Sequence, residues 1–526
     1  MRLSQLHLST LREPPADTAS VNERLLRRAG FVRKVEAGTF AFLPLGAKVI
    51  LKMVRLFEEQ LEREGFYPVI PPLTEPVQAV IETARSQVRS WRSLPLRWYV
   101  WNRCRNDGIE PRGGLLETRE WMNLQMWAFA GDEPSAGQEG LLMRDVLSRV
   151  CQRIGLEVLA GGGDGWRILA LVPSGKDRLL QCSSCGQAFV PEWYPLAPSE
   201  EPASSEGIPP AEVVDTPNLR TVEEVSRFLN VPLSQLVKTL LVEADGGVVA
   251  ALVRGDHELS LPKLQSALGA EQVGLLSAER VEQVSRAPVG FAGPVGLNHV
   301  PLIADWAVRA MQDFVVGANL ADAHRVHVCW GRDFAEPRWA DLRIASAGDR
   351  CALCGGELVS QQGVQLGSIR PWRGAHGLVY DALQGRQQTA SLVVGDLNLT
   401  RTMACLVEAG HDRDGMVWKP RVAPYEALVL VLNPSEEGHL QIADRLCADM
   451  DERGIEAVID DRDERAGAKF KDADLIGIPV QVVVGRTASE GVVEVRLRRD
   501  RVPHRVAVED VVIVVEELLH REAGEQ

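Results

Sequence analysis

Two copies of a Cys-x-x-Cys-Gly motif constrain this chain more than any other feature. The first contains Cys182 and Cys185, and the second contains Cys351 and Cys354. The glycine after each pair permits a tight turn that directs two thiolates at one metal ion. Two such turns supply the four ligands of a structural zinc ribbon, so the motifs predict one Zn²⁺ site, with four free thiols as the alternative. Between them we expect a module inserted through a host domain.

Length and composition limit the classes of protein that remain. A chain of 526 residues predicts three or four domains, and its net charge of −14 argues against wholesale coating of nucleic acid. No apolar run approaches the roughly 20 residues that span a bilayer, so no membrane partner is expected. The first residues lack the apolar core of a signal peptide. Nine cysteines, four of them in the two motifs, favour a reducing cytoplasm over a disulfide framework.

Periodicity and turn residues predict alternating helices and strands. A helix with a basic face is predicted over 19–38, and a long amphipathic helix is predicted over 46–64, ending at Gly65. After residue 424 the pattern has βαβ rhythm, and between the cysteine motifs strands alternate with helices from Thr216 onward. The stretch 195–210 is rich in Pro, Ser and Glu and is typical of a linker.

Several long blocks resemble bacterial prolyl-tRNA synthetases, which are class II aminoacyl-tRNA synthetases, and they keep that family's order from end to end. They are the stretch 4–45, RSWRSLPL at 89–96, VKTLL at 237–241, WGRDF at 330–334 and IDDR at 459–462.

This resemblance implies an α/β fold whose core carries an antiparallel sheet. It implies a catalytic core over 1–192 and 346–420, a linker over 193–215, an inserted editing domain over 216–345 and an anticodon-binding domain over 424–526. A homodimer is expected from the resemblance alone.

The resemblance also implies an ATP site, with Mg²⁺, that this chain keeps only in part. Arg105 stands where the family holds the α-phosphate, and Asp107 supplies a nearby carboxylate. Trp121 replaces the phenylalanine that stacks on adenine, and Arg401 matches the arginine for the γ-phosphate. In the same motifs the family's aspartate is Gln125, and two of its glycines are aspartate and asparagine, at 396 and 398. An aspartate beside a triphosphate is electrostatically unfavourable unless it holds a metal.

The proline pocket departs further from the family. Thr74 and Glu75 look like the element that grips the substrate amine, but alignment from LPL at 94–96 makes that match a coincidence. The family's His-Glu-Phe falls on WRI at 166–168, so its carboxylate is Arg167 here. An amino-acid pocket needs a carboxylate for the ammonium group, and the sequence offers none at these positions. Proline ligation is therefore predicted to be weak or absent.

The insert resembles the family's editing domain, which hydrolyses alanine mischarged on tRNA(Pro). Lys238 is predicted to hold the 3′ end of the tRNA through its charge, and a lysine within an apolar strand is seldom a plain surface residue. His324 is the companion candidate, for orienting substrate or water, although a lone histidine is more often structural. The glycine turns GPVGL at 293–297 and VVGAN at 315–319 are expected to supply backbone amides around the ester.

The C-terminal segment resembles the family's anticodon-binding domain. Arg462, Glu464, Lys469 and Lys471 are the predicted tRNA contacts, with the cations on phosphate and the carboxylate and arginine reading base edges. Ala466 stands where the family has proline.

Three functions remain open from the sequence. The first is a proline–tRNA ligase that joins proline to tRNA(Pro) with ATP and edits alanyl-tRNA. The second is a synthetase-derived hydrolase that has lost ligation, and the third is a tRNA- or protein-binding paralogue with both sites silent. The editing site is the better preserved of the two.

Overall fold

The computed structural model describes residues 1–18, 20–72, 76–198, 207–374, 377–383 and 385–524. The chain forms two compact units. Unit 1 comprises 1–160, 164–177 and 362–526, and unit 2 comprises 161–163 and 178–361. No helix in the described part of the chain is long and apolar enough to cross a membrane.

Unit 1 contains a large, mainly antiparallel sheet. In spatial order its strands here are Tyr67–Pro68, Leu96–Arg105, Glu120–Ala130, Ser391–Asn398, Leu358–Pro371 and Gly165–Ala170, and only the first pair is parallel. The strands Val158–Gly163 and Leu358–Pro371 each contain a unit boundary. Two hairpins complete this part of unit 1: Val32–Glu36 with Thr39–Phe42, and Val379–Asp381 with Gln387–Thr389. The antiparallel sheet expected of the core is confirmed.

Helices cover both faces of this sheet. The helices are Val21–Arg28, Pro44–Arg63, Pro76–Gln87, Glu133–Arg153 and Leu399–Ala409. Four of them bury apolar side chains in the main core, whereas Pro76–Gln87 packs in a separate apolar cluster with Trp127 and Phe129.

The predicted helix over 46–64 is confirmed as Pro44–Arg63. The predicted helix over 19–38 is wrong, because the helix ends at Arg28 and a strand begins at Val32. Gly30 and Gly38 have φ angles of 69° and 75°, and these left-handed positions bracket the strand.

The C-terminal part of unit 1 has a five-stranded sheet of its own. Its spatial order is Ala457–Asp460, Ala427–Val431, Val480–Val484, Val492–Leu497 and His504–Ala507, of which the first three are mutually parallel. The helices Glu437–Glu452, Ala466–Ile476 and Val511–Ala523 accompany it. The βαβ rhythm predicted for this segment is confirmed.

Unit 2 contains two sheets that share an apolar core. The larger has the order Val273–Leu275, Val237–Ala244, Gly247–Arg254, Leu302–Asp305 and Arg338–Ala340. The smaller is antiparallel, with the order Glu212–Asp215, Ala323–Val328 and Phe314–Gly317. The helices are Val222–Leu229, Leu261–Leu268, Ala278–Ser285 and Trp306–Arg309. The short strand Asp177–Cys182 leads into the first cysteine motif, and the strand Ala188–Phe189 follows it. Val237 and Leu252 of one sheet cluster with Phe314 and Val328 of the other.

Candidate functional sites

Unit 2 contains a pocket of about 330 Å³ that brings Lys238 and His324 into one lining. Lys238 lies on the strand Val237–Ala244, directly opposite Val253 of the next strand, and is partly buried. Burial lowers its pKa, and the nearby carboxylates of Glu258, Glu223 and Asp256 oppose that shift. No salt bridge within the described residues occupies the Lys238 ammonium, so it is available to an anionic ligand.

His324 faces the same pocket in a different electrostatic setting. Its side chain is buried, and Nδ1 lies 2.6 Å from Thr216 Oγ1. The ring also lies 5.5 Å from that of Phe291, centroid to centroid. Burial lowers the pKa of His324 to about 4, against the opposing effect of a hydrogen bond to the backbone of Gly290. The imidazole is therefore neutral near pH 7 and fixed by its partners, which suits shaping the pocket better than proton transfer.

Two glycines let separate backbone segments meet beside this pocket. A Cβ on Gly293 would lie 1.7 Å from the carbonyl oxygen of Gly317, and one on Gly317 would lie 2.3 Å from that of Ala292. Asn319 accepts a hydrogen bond from the Gly293 N–H and donates to the carbonyls of Gly293 and Val295. The turns named from the sequence therefore form one tied wall, of which Gly317 and Ala292 line the pocket.

The four motif cysteines come together, as their spacing predicts for a metal site. Their Sγ atoms all lie within 4.8 Å of one another, with Cys182–Cys354 at 3.5 Å and Cys185–Cys351 at 3.9 Å. Tetrahedral zinc with bonds of 2.3 Å places its sulfurs about 3.8 Å apart, so the donor set fits this ion. The backbone amide of Cys185, followed by that of Ser184, lowers the pKa of Cys182 to about 6. A low pKa favours the thiolate of Cys182, which is the form that binds a metal, whereas the hydrogen bond between the two sulfurs raises the pKa of Cys354 to about 11.

The predicted α-phosphate ligand, Arg105, is surrounded by carboxylates. Its guanidinium contacts Asp107 at 2.8 Å and Glu120 at 2.5 Å, with Glu36 at 3.8 Å. The side chain is 51% exposed, so solvent screens these pairs and a phosphate can compete for them. Trp121 is partly buried opposite Cys104 on the neighbouring strand.

The predicted γ-phosphate ligand, Arg401, is engaged by the protein itself. Its Nε donates to the carbonyl of Leu116 at 2.6 Å, and Nη1 donates to that of Gln365 at 2.7 Å. Asn398, at one of the family's glycine positions, caps the helix Leu399–Ala409 by accepting from the Arg401 N–H. The structure thus gives the asparagine at position 398 a local structural role.

The predicted gap in the amino-acid pocket concerns two places. Thr74 and Glu75 lie outside the described residues. Trp166 and Arg167 lie on the strand Gly165–Ala170, where the Arg144 guanidinium sits 4.5 Å over the Trp166 ring. The described strand therefore carries a cation, not a carboxylate, at position 167.

The predicted tRNA contacts differ in exposure. Glu464 and Lys471 are exposed, but Lys469 is fully buried and donates to the carbonyls of Val431 at 2.6 Å and Asp460 at 3.4 Å. Arg462 forms salt bridges with two carboxylates, at 2.8 and 3.0 Å. Lys469 joins the ends of two strands, which corrects its expected place on the surface.

Sequence reasoning missed Thr216, the partner of His324. Threonine carries no motif, and its partner lies 108 residues away in sequence, so only the pairing of Glu212–Asp215 with Ala323–Val328 brings them together. No signal in the sequence would have found it.

Known proteins resemble this chain along nearly its full length. Residues 216–334 match the family model described as an aminoacyl-tRNA editing domain, and residues 426–518 match one described as an anticodon binding domain. A proline–tRNA ligase of Desulforamulus reducens is 33% identical over 572 aligned positions, covering 99% of this chain and 100% of that protein. One of Desulfovibrio desulfuricans is 36% identical, covering 95% of each chain. One of Geobacter sulfurreducens is 35% identical, covering 99% of this chain and 100% of that protein.

A solved structure shares the fold. The prolyl-tRNA synthetase of Cryptosporidium parvum, complexed with halofuginone and AMPPNP, superposes with a TM-score of 0.53 over 96% of this chain and 78% of that one, at 11% identity. Because the 572 positions aligned with the Desulforamulus protein exceed the 526 residues here, this chain carries gaps relative to it. The chain is more than 30% identical to these three proline–tRNA ligases over almost the whole of both chains, which shows the family. The chain belongs to the proline–tRNA ligase family.

Proposed function

We propose that this chain is a proline–tRNA ligase of the editing type, in which unit 2 removes alanine from mischarged tRNA(Pro). The observation that carries this proposal is the pocket holding Lys238 and His324, because it lies within the segment that matches the aminoacyl-tRNA editing domain.

The editing reaction is a hydrolysis of the aminoacyl ester. A water oxygen attacks the ester carbonyl, the bond to the ribose oxygen breaks, and that oxygen takes a proton, releasing alanine and free tRNA. Lys238 provides the charge that holds a phosphate near the tRNA terminus, and backbone amides of the tied wall stabilise the developing oxyanion. A pocket walled by fixed backbone rejects the larger pyrrolidine ring of proline by size.

The ligation half would use ATP with Mg²⁺ in unit 1. Arg105 would exchange its carboxylate partners for the α-phosphate, and Trp121 would offer a face for adenine. Arg401 would approach the γ-phosphate only by giving up hydrogen bonds to two carbonyls. That exchange costs hydrogen bonds, so we expect slow activation.

The second candidate is a deacylase of the same family that no longer ligates. Two observations favour it: Arg401 is already engaged, and Arg167 stands where the family carries a carboxylate. A tRNA-binding paralogue with both sites silent is the outcome if neither reaction is found.

Proline-dependent exchange of pyrophosphate into ATP separates the two enzymatic candidates. We expect exchange well below the turnover of about 1 to 10³ per second that is typical of enzymes. A rate within that range would contradict the slow-activation account, and complete absence with intact deacylation would establish the second candidate. Arg413→Ala, a change at a side chain that is 90% exposed, is the matched control.

The remaining partners follow from the same proposal. We propose tRNA(Pro) as substrate, a structural Zn²⁺ on the four motif cysteines, a homodimer and a cytoplasmic location, where tRNA is charged. The cysteine geometry supports the zinc, and the match to an anticodon binding domain supports the tRNA.

A further inference from the structure

A row of polar side chains crosses the large sheet of unit 1. In the strand register Gln125 lies opposite Asp396, Asp396 opposite Ser368, and Ser368 opposite Arg167. Directly opposed residues of antiparallel strands share one face, so these four project on the same side. Gly395 fixes which side this is: a Cβ there would meet Met126 and Met143 of the main core, so its neighbour Asp396 faces away from that core.

An apolar cluster borders this row. Val394 and Trp127 are opposed one step along the same face, and both are buried in the cluster with Val100 and Phe129. Apolar neighbours exclude water from one side of the row, and a charge interaction there is screened less than at an open surface.

Asp396 is a carboxylate without a close cation. Ser368 Oγ donates to it at 2.6 Å, and no salt bridge to it forms within the described residues. Arg370 and Arg401 act on it only through their charge, while burial raises its pKa. The side chain remains partly exposed, so a ligand can reach it. A partly buried carboxylate with one hydroxyl partner is a receptor for a protonated amine.

We propose that Asp396 binds the charged amine of the amino-acid substrate and supplies the carboxylate that the sequence lacks at position 167. This inference rests on the proposed ligation function and names its amine-binding residue. Ser368 orients the carboxylate from the adjacent strand, and the cluster beside the row limits solvent around the ion pair. A secondary ammonium such as that of proline donates two N–H groups, which a carboxylate accepts in full.

The test compares two ligands that differ only at the amine. L-Proline and (S)-tetrahydrofuran-2-carboxylate share the ring and the carboxylate, but the second has an ether oxygen in place of the ammonium. Equilibrium dialysis with the full chain should show proline binding about tenfold or more tighter, as for one charge-assisted hydrogen bond. Asp396→Asn should remove that preference, whereas Asp396→Glu, which keeps the charge, should retain part of it.

A pH series and a control variant separate this role from a structural one. Because the pKa of Asp396 is raised, the preference of the wild type for proline should decline as acidification protonates the carboxyl, while the asparagine variant shows no such decline. Asp145→Asn, on the helix Glu133–Arg153 at the opposite face, should keep the wild-type preference.

The outcomes distinguish this inference from the proposed function. The inference is overturned if the wild type does not prefer proline over the ether analogue, or if that preference survives Asp396→Asn. It is also overturned if Asp396→Asn changes only the Mg²⁺ requirement of pyrophosphate exchange. If the wild type prefers proline but catalyses no pyrophosphate exchange, the ligation function is refuted and Asp396 remains the amine receptor. If Asp396→Asn catalyses pyrophosphate exchange at the wild-type rate, the inference about Asp396 is refuted and the ligation function stands.

Discussion

Lys238 and His324 line the same pocket but differ in the charge each can carry. Burial lowers the pKa of both side chains, but at Lys238 three nearby carboxylates oppose that effect, whereas at His324 burial leaves the imidazole neutral near pH 7. The sequence could name both residues because each lies in a recognisable block. It could not assign the protonation state of His324, which depends on how deeply the folded domain buries the side chain.

The neutral state of His324 predicts a pH-dependent stability. Its folded pKa of about 4 lies below the ordinary value of 6.5, so the unfolded chain takes up the proton first as pH falls. Stability from this residue is full above pH 6.5 and declines toward pH 4, by up to about 3 kcal/mol for such a shift. His324→Asn should flatten the fall in Tm of unit 2 over this range.

His257 provides the internal control for that experiment. Its pKa is also lowered to about 4, chiefly by burial, so it contributes the same trend to the wild type and to the variant. Thermal unfolding of both proteins between pH 4 and 6.5, monitored in one buffer series, isolates the difference. Identical slopes would mean that His324 is not held neutral in the folded state.

At the scale of elements, the two cysteine turns could be predicted from the sequence because each motif is local. Their convergence could be predicted as well, because a metal site requires all four thiolates to meet. Helices with strong periodicity were also predictable, as Pro44–Arg63 shows. The structure of the segment 19–38 could not be predicted in the same way, because basic residues suit either a helix or an exposed strand. Only the pairing of Val32–Glu36 with Thr39–Phe42 decides between them. The sequence also did not show which lysine of the helix Ala466–Ile476 is exposed. Lys469 and Lys471 are the same residue type two positions apart, but only Lys471 is exposed.

The cysteine turns should hold one zinc ion per chain. Elemental analysis of the purified full chain is expected to give one equivalent, and Cys182→Ser or Cys351→Ser should lose most of it, since four-coordinate structural sites need all their ligands. Cys447→Ser is the matched control, because Cys447 is a free cysteine of unit 1, on the helix Glu437–Glu452, and belongs to neither motif. Less than a few tenths of an equivalent in the wild type would refute the site.

The helix Ala466–Ile476 should contribute to tRNA affinity through its exposed cation. Lys471→Glu is expected to weaken binding of tRNA(Pro) and to reduce the salt dependence of the association constant, because one fewer phosphate counterion is released. The buried Lys469 is unsuitable for this test, since a charge reversal there would unfold the domain. Arg413→Glu is the control, and equal effects of both variants would leave only a general charge effect.

At the scale of the whole molecule, long ordered blocks made the fold and the family predictable without coordinates. For the proposed ligation site, the sequence could show only which family residues are missing. Asp396 stands at a glycine position of the family, so the sequence alone indicated an unfavourable substitution there and no binding role. The strand register supplies the observation behind its proposed role: across three strands Asp396 lies beside Gln125 and Ser368 on one face. Register between distant strands is a property of the assembled sheet, and no local pattern contains it.

In the proposed function, unit 2 is an alanine-specific deacylase within a member of the proline–tRNA ligase family. The most direct measurement is the rate at which the full chain deacylates tRNA(Pro) charged with alanine or with proline. We expect hydrolysis of the alanyl ester with the prolyl ester spared, and at least a tenfold loss, about 1.4 kcal/mol in the barrier, for Lys238→Ala. The control Lys176→Ala, a change at an exposed lysine that is not among the residues lining the pocket, should leave both rates unchanged. Equal hydrolysis of both esters, or full activity in Lys238→Ala, would contradict the account.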